Sequence, residues 1–327
     1  MSGIKNRKPF GFVFFGGREH GNYDPLAILC SSDVHSAVMD KLSRRTLLKN
    51  AAFSGVAIAS VSSPSWSEQT TPTPRKGRIK QSVSRWCYKD IPLDKLCAYS
   101  AQIGCKAIDL LGPEDYEVPR RYGLICAMGY GGGGDIPNAL NRVENHAKIE
   151  EGLRKNIPLA AKAGIPNVIT FSGNRAGMSD EEGAKNTIIG LNRIKKIGED
   201  NGVVICLELL NSKVNHKDYM CDHTAWGVQV VQAVNSPNVK LLYDIYHMQI
   251  MEGDLVKTIQ DNIQWIAHFH TGGVPGRHEL DGTQEVQWDG VMRGIVATNF
   301  NGYVAHEFVP TRDPFTSLRE AVDLCDV

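Results

Sequence analysis

From residue 80 onward, short apolar segments of the strand type alternate with longer amphipathic segments of the helical type. Apolar runs of this length that alternate with helical patterns are typical of β-α-β units and a parallel sheet. Eight such runs occur, which predicts an α/β fold, a (β/α)8 TIM barrel that forms a single domain over residues 78–327. The predicted strands are 81–86, 106–111, 123–128, 167–172, 203–209, 239–245, 266–271 and 303–308.

Two of the predicted helices have a clear periodicity. Residues 184–199 place an apolar side chain at about every third position, which gives one stripe that faces the sheet, and Gly202 predicts the helix end. Residues 148–163 form the second helix, in which Pro158 predicts a kink or a new start because proline lacks an amide N–H. The link 112–122 is too short for a full helix, so a tight connection is predicted between the second and third strands.

An open, doubly wound sheet is the alternative architecture. That fold places a glycine-rich phosphate loop directly after its first strand, and no GxGxxG motif stands there. The four consecutive glycines Gly131 to Gly134 follow the third predicted strand instead. We expect them to form a flexible loop over the mouth of the barrel.

Composition adds few constraints on the partners. Lys plus Arg and Asp plus Glu both number 36, so no overall charge favours nucleic acid or a membrane surface. The eight cysteines form no CxxC pair, and several lie in strand-like apolar runs, where a thiol acts as a small hydrophobic group. We therefore expect a small-molecule substrate, no nucleic-acid partner and no stable membrane anchor, while a homo-oligomer stays open.

The first eighty residues follow a different pattern from the barrel. A basic segment SRRTLLK (43–49) precedes a mild apolar stretch (51–61) and a polar Ser/Thr/Pro segment (62–74). This order is typical of a targeting peptide, and the pair Arg44 and Arg45 resembles the twin-arginine export signal. The apolar stretch is too short to span a bilayer. We predict an unstructured leader over residues 1–77 and a periplasmic or otherwise exported protein; a cytoplasmic protein with an accidental arginine pair is the alternative.

The ends of the last four predicted strands carry ionisable side chains. They are Glu208, Asp244, His270 and Glu307, one on each successive strand. In a TIM barrel these ends meet at one mouth, where active sites lie. Like charges that are buried together disfavour mutual ionisation, and a divalent cation removes that penalty. Three carboxylates and an imidazole suit Mn²⁺ or Mg²⁺, with Zn²⁺ or Co²⁺ also compatible.

Neighbouring residues offer further candidates and one alternative. A salt-bridge network with Arg277 and Lys240 could neutralise the same carboxylates without a metal. His247 lies three residues after Asp244 and could face a substrate, and Arg277 could hold a substrate carboxylate. His268 shares the face of His270 one layer deeper, which is typical of a core histidine.

Two longer motifs resemble the hydroxypyruvate isomerase family. They are YDIYHMQIMEGDL (243–255) and GGVPGRHELDG (272–282), and LELLN (207–211) and HEF (306–308) support them. That family belongs to the xylose isomerase-like TIM barrels, with the ketose 3-epimerases and endonuclease IV enzymes as relatives. The resemblance covers roughly residues 80–320.

The resemblance implies a function for these residues. Glu208, Asp244, His270 and Glu307 would hold the metal, and Glu208 and Glu307 would also move the proton of the substrate carbon. His247 and Arg277 would contact substrate oxygens. The implied reaction is an aldose–ketose type isomerisation through an enediolate, with hydroxypyruvate converted to tartronate semialdehyde.

Departures from the family pattern keep other substrates open. The isomerases commonly carry Gln where this chain has His270, whereas the 3-epimerases carry His, and QEVQW (284–288) replaces a Gly-Glu-x-Asn-Tyr segment. A ketose 3-epimerase is therefore an alternative, and so is a non-catalytic exported sugar-binding barrel. An abasic-site endonuclease is disfavoured because the second and third strand ends lack the histidines of its trinuclear zinc site.

Overall fold

All eight predicted strands are present, and they close into a barrel. A computed structural model describes residues 75–327, in which parallel strands β1 to β8 follow one another around the barrel in chain order. Closure comes from β1 pairing with β8, with Val83 opposite His306. The strands are β1 Lys80–Ser84, β2 Ala107–Leu111, β3 Ile125–Gly133, β4 Asn167–Thr170, β5 Val204–Glu208, β6 Val239–Asp244, β7 Ile266–Thr271 and β8 Tyr303–His306.

Eight α-helices surround the barrel within the described part of the chain. The predicted helix 184–199 lies within α3, and Gly202 ends α3 with a φ of 65°. The helix predicted at 148–163 is α2, which continues through Pro158 without a new start. The short link after β2 holds only the 3-10 turn Pro119–Tyr122. The helices are α1 Leu93–Gln102, α2 His146–Lys162, α3 Asp180–Asn201, α4 Thr224–Val234, α5 Ile245–Met251, α6 Leu255–Asn262, α7 Trp288–Ala297 and α8 Pro314–Leu324.

The glycine run was expected to form a loop, and that prediction is wrong. β3 extends to Gly133, which pairs with Thr170 of β4 after a register shift. A Cβ atom at Gly131 would lie 2.9 Å from a methyl carbon of Leu153, and one at Gly132 would lie 3.0 Å from the backbone of Gly152. Leu153 and Gly152 both belong to α2. The glycines therefore serve the close packing of α2 on the strand rather than flexibility.

The chain enters the barrel beside its own last residues. The backbone N–H groups of Lys76 and Gly77 donate to the Asp326 carboxylate at 2.7 and 2.9 Å. The Arg78 Nε–H donates to the Val327 carbonyl at 2.7 Å. These contacts lie before β1 and after α8, at the end of the barrel opposite the strand carboxyl ends.

Nothing in residues 75–327 is both helical and apolar over a length that would cross a bilayer. The predicted export signal, with Arg44 and Arg45, lies outside the described residues. Of the predicted leader 1–77, only residues 75–77 belong to the described part of the chain.

Candidate metal centre

Four side chains at the carboxyl end of the barrel form a cluster. Glu208, Asp244, His270 and Glu307 each offer a donor atom, and these atoms all lie within 4.8 Å of one another. All four residues are buried, with 4% of Glu208 exposed, 3% of Glu307, and none of Asp244 or His270. The structure thus brings together the four residues that the sequence singles out, and their role as metal ligands stays a prediction.

The strand ends place these groups on one level. β5 ends at Glu208 and β6 at Asp244, and the register pairs Asp244 with His270 of β7. Glu307 follows β8 directly, and its N–H donates to the Thr271 carbonyl at 3.0 Å. Because parallel barrel strands all end at the same rim, side chains at successive ends face one mouth.

Asp244 has a second, local function in the fold. Helix α5 begins immediately after it, and its Oδ1 accepts a hydrogen bond from the His247 N–H at 3.2 Å. This is an N-cap, which satisfies one of the free amides of the first helical turn. The cap fixes the carboxylate so that Oδ2 faces the mouth, 3.0 Å from Arg277 Nη2.

Two cationic groups accompany the three carboxylates. His270 Nδ1 lies 2.8 Å from Glu307 Oε2 and 3.4 Å from Glu208 Oε1. Arg277 Nη2 pairs with Glu307 as well as with Asp244. The guanidinium carbon of Arg277 lies 5.2 Å from the Trp86 ring centre and 5.1 Å from that of Tyr246, within the range of cation–π contacts.

Burial and the neighbouring charges act differently on the three carboxyl pKa values. Burial raises the pKa of Asp244 to about 7, although Arg277 opposes this. Burial also raises the pKa of Glu208. For Glu307, burial is outweighed by His270 and Arg277, which hold its pKa well below the usual range. The two cationic groups therefore stabilise Glu307 as an anion but leave Glu208 and Asp244 insufficiently neutralised.

This electrostatic deficit fits a bound cation. Neither ring nitrogen of His270 has a hydrogen-bond partner of good geometry among the described residues, so the ring can release a proton and offer a nitrogen to a cation. Three carboxylates and one imidazole form a donor set that suits a divalent ion. The alternative salt-bridge network is present only in part: Arg277 joins the cluster, whereas the Lys240 amino group donates to the Gln264 carbonyl at 2.6 Å.

The two predicted substrate contacts occupy different positions. His247 is fully buried; its Nδ1 accepts from the Asn211 N–H at 3.1 Å, and its Nε2 lies 3.5 Å from Asp244 Oδ2. Burial lowers its pKa well below the usual range, so the ring is neutral. Arg277 uses Nε and Nη2 for Glu307 and Asp244, and its Nη1 has no partner among residues 75–327. Nη1 is the group that Arg277 can offer to a ligand.

Sequence reasoning missed three residues near the cluster. Trp86, just after β1, donates its Nε1–H to Glu307 Oε1 at 2.5 Å. Burial raises the pKa of Tyr130 of β3 to about 12, and the charges of Glu307 and Glu208 add to this. Asp109 of β2 is fully buried beneath the cluster. A carboxylate at an inward position of an apolar strand, in AIDLL, was a signal that could have identified Asp109.

The two remaining barrel histidines contact polar partners. His268 Nε2 lies 2.5 Å from Asp109 Oδ2, so this core histidine is bound to a carboxylate. His306 points away from the cluster; its Nε2 lies 2.8 Å from Gln81 Oε1 and its Nδ1 3.2 Å from Thr271 Oγ1. Burial lowers the pKa of His306 to about 3, which makes it a neutral structural residue.

Comparison with known proteins identifies the relatives of this chain. The family model described as Xylose isomerase-like TIM barrel matches residues 117–326. Hydroxypyruvate isomerase of Escherichia coli is 25% identical over 240 residues, which cover 67% of this chain and 89% of that protein. The 2-oxo-tetronate isomerase of Pectobacterium atrosepticum is 25% identical over 235 residues, with 68% and 88% covered. The predicted resemblance to hydroxypyruvate isomerases is thereby confirmed.

Solved structures show the same fold. The AP endonuclease, family 2, of Brucella melitensis superposes with a TM-score of 0.67 at 21% identity over 75% of this chain and 97% of that one. D-psicose 3-epimerase gives 0.60 at 19% identity, with 75% and 90% covered. IOLI protein, solved with a zinc atom, gives 0.59 at 16% identity, with 76% and 95% covered. At these identities the likeness establishes the barrel fold.

Proposed function

Because the chain belongs to the xylose isomerase-like TIM barrel family, we propose that it is a metal-dependent isomerase of small hydroxy-carbonyl compounds. The preferred reaction is the conversion of hydroxypyruvate to tartronate semialdehyde. The observation that carries the proposal is the convergence of Glu208, Asp244, His270 and Glu307 within 4.8 Å, with too few cationic groups to neutralise them. The relatives named as hydroxypyruvate and 2-oxo-tetronate isomerases favour this class of substrate.

The proposed metal is Mn²⁺ or Mg²⁺, held by Glu208, Asp244, His270 and Glu307. Bound there, a divalent cation would polarise a carbonyl group and stabilise negative charge that develops on it. Buried carboxylates are suited to this because a low-dielectric site strengthens each interaction.

The two glutamates would carry the proton. Glu307 is kept ionised by His270, Arg277 and Trp86, so it is suited to remove the proton from the carbon beside the carbonyl. Glu208, the second carboxyl group beside the substrate, would return a proton to the neighbouring carbon. Burial raises its pKa in the absence of a cation, and a bound cation would lower it. The intermediate between the two transfers is an enediolate.

Arg277 would recognise the substrate carboxylate. Its Nη1 is unpartnered among the described residues, and a guanidinium is a strong donor to carboxylate oxygens. The His247 ring is buried and lies 3.5 Å from the Asp244 carboxylate, so His247 would help to position Asp244.

A ketose 3-epimerase is the second candidate. His270 favours it, and so do two aromatic side chains at the mouth, with Trp86 38% exposed and Tyr130 41% exposed. Aromatic surfaces with a few placed polar groups are common in small-molecule sites. In that reaction the proton would return to the same carbon from the opposite face.

One assay separates these functions. The full chain, stripped with a chelator and reloaded with Mn²⁺ or Mg²⁺, is incubated with hydroxypyruvate and, separately, with free ketoses in D2O. Metal-dependent conversion of hydroxypyruvate supports the isomerase, and deuterium incorporation with epimerisation of a ketose supports the alternative. Metal binding with neither conversion nor deuterium exchange would indicate a non-catalytic sugar-binding barrel.

We also propose that the protein is exported through its twin-arginine motif. The support is the order of basic, apolar and polar segments from residue 43 to 74. Cell fractionation of the wild type and of the Arg44→Lys/Arg45→Lys variant tests this. Retention of only the variant in the cytoplasm is expected, and unchanged localisation would contradict the proposal.

A further inference from the structure

Beneath the rim, a second group of ionisable side chains meets inside the barrel. Asp109 Oδ2 lies 2.5 Å from His268 Nε2 and 3.6 Å from His270 Nε2. None of the three residues is exposed to solvent. Asp109 comes from β2, whereas every residue of the cluster above comes from β5 to β8 or directly follows them.

His270 is therefore in contact with acidic groups at both ring nitrogens. Its Nδ1 faces Glu307 and Glu208, and its Nε2 faces Asp109. The ring is cationic while no metal is bound, and binding a metal would release one of its protons. The neutral imidazole that results has one N–H donor and one lone pair. Asp109 Oδ2 lies 3.6 Å from Nε2, beyond a hydrogen bond, but its charge favours the N–H on that nitrogen, which presents the lone pair of Nδ1 to the centre. Histidine ligands of metals are commonly oriented in this way by a carboxylate on the other nitrogen.

Asp109 is itself held in place. Its Oδ1 accepts a hydrogen bond from the Ser82 hydroxyl of β1, and its Oδ2 contacts His268. The rings of His268 and His270 meet edge to face, with centres 5.3 Å apart and planes at 86°. Ser82, Asp109 and His268 thus form a support that limits rotation of the His270 ring.

The same three groups could instead be the ligands of a second cation. Two ligands in a tetrahedral zinc site, with bonds of about 2.0–2.1 Å, lie about 3.3 Å apart. The separation of 2.5 Å between Asp109 Oδ2 and His268 Nε2 is shorter, so the two groups contact each other directly and leave no room for an ion between them. The geometry favours a direct Asp109–His268 pair over a second metal site.

We propose that Asp109 is a positioning residue of the metal centre, which orients His270 so that Nδ1 can bind the cation. This inference rests on the proposed metal-dependent function. Asp109 lies in β2, so strands β1 to β4 would contribute to metal affinity although none of the proposed ligands comes from them.

The test is a calorimetric titration of the chelator-stripped full chain with Mn²⁺. The Asp109→Asn variant keeps the shape of the side chain but removes its charge. The matched control is Asp222→Asn, because Asp222 is also buried and bonded, to Arg175, Ser212 and His223, but lies outside the cluster. Loss of a carboxylate behind a histidine ligand weakens metal binding by about 10–100-fold, and this is the loss expected for Asp109→Asn alone.

The outcomes separate the inference from the proposed function. If the wild type binds no Mn²⁺, the proposed function fails. If the wild type binds one equivalent and Asp109→Asn binds it equally well, the positioning role is overturned. Two bound equivalents in the wild type and one in Asp109→Asn would establish the second cation site, and this result would also overturn the positioning role. A merely structural role would lower the melting temperature of both stripped variants without changing metal affinity.

A milder variant covers the case in which Asp109→Asn does not fold. Ser82→Ala removes only the hydrogen bond to Asp109 Oδ1. Weaker Mn²⁺ binding by folded Ser82→Ala would agree with the positioning role of Asp109. Unchanged Mn²⁺ affinity in this variant would contradict that role.

Discussion

The rim of the barrel has two chemically different halves. In the second half the strand ends carry ionisable donors, whereas β1 to β4 end in Ser84, Leu111, Gly133 and Thr170. The first half contributes the exposed rings of Trp86 and Tyr130 instead. A barrel can thus keep its charged groups on adjacent strands, where one ion of the kind we propose would reach all of them, and leave the facing strands to form the wall of the mouth. The comparison predicts different consequences for substitutions in the two halves.

The largest effect is expected in the second half, at its paired glutamates. Removal of a general acid or base typically lowers the rate by about 10²–10⁴-fold, and we expect this of Glu208→Gln and of Glu307→Gln. The measurement is kcat of the metal-loaded variants on the substrate identified as above. Glu151→Gln, on the exposed face of α2, is the control. Full activity in both site variants would remove the acid–base assignment.

The loop that carries Arg277 should depend on an ionised Glu279. Its carboxylate accepts hydrogen bonds from the Thr311 N–H, the Thr311 hydroxyl and the Ser317 hydroxyl at 2.8–2.9 Å. Burial would raise its pKa, but these hydrogen bonds outweigh it and lower the pKa from 4.5 to about 2. Since the unfolded state then binds the proton more readily, stability is lost as pH falls from about 4.5 towards 2.

This contribution amounts to about 1–3 kcal/mol of unfolding free energy at neutral pH, because screening by nearby solvent reduces the full value of the shift. We would measure the unfolding free energy of the wild type and of Glu279→Gln by denaturant titration across that pH range. The loss of stability at low pH is expected in the wild type alone. Glu285→Gln, on the exposed surface of the same loop, should titrate like the wild type. An acid transition that is unchanged in Glu279→Gln would show that the loop is anchored by other contacts.

In the first half of the barrel, Trp86 is expected to affect activity through its hydrogen bond to Glu307. Trp86→Phe keeps an aromatic ring but removes the N–H that bonds to Glu307. A hydrogen bond to a charged group is worth about 1.5–3 kcal/mol, so kcat/KM should fall by about 10- to 150-fold. Trp226→Phe, whose Nε1–H bonds to the Asp180 carbonyl on the barrel exterior, is the control. Equal activity of the two variants would show that the Trp86 hydrogen bond does not contribute to catalysis and that Trp86 only lines the mouth of the barrel.

The smallest effect is expected at the end of β4. The Thr170 hydroxyl donates to the Gly133 carbonyl at 2.7 Å, and Thr170→Val removes this bond. We expect a loss of about 1 kcal/mol in unfolding free energy. Mn²⁺ affinity, measured by the same calorimetry, should not change. A clear loss of metal affinity would mean that the two halves are not as distinct as their strand ends indicate.

The sequence predicts the second half better than the first. Glu208, Asp244, His270 and Glu307 stand at the ends of regular apolar runs, so strand position alone brings them together. Trp86 could not be assigned in this way because its contact with Glu307 spans 221 positions of the chain and depends on barrel closure.

Glycine was the other source of error. Gly131 to Gly133 were expected in a loop because glycine is common there, yet they lie in β3 under α2. The reason is a close approach of helix and strand, which a single sequence does not display. Pro158 was expected to kink or restart its helix, and α2 instead runs on without a new start.

The contacts of Asp326 and Val327 with Lys76, Gly77 and Arg78 have a practical consequence. A tag or a surface linker attached after Val327 would emerge from the floor of the barrel, on the side away from the rim. Immobilisation through that end should leave substrate entry open, whereas a bulky fusion placed directly after Val327 would compete with the Arg78 contact.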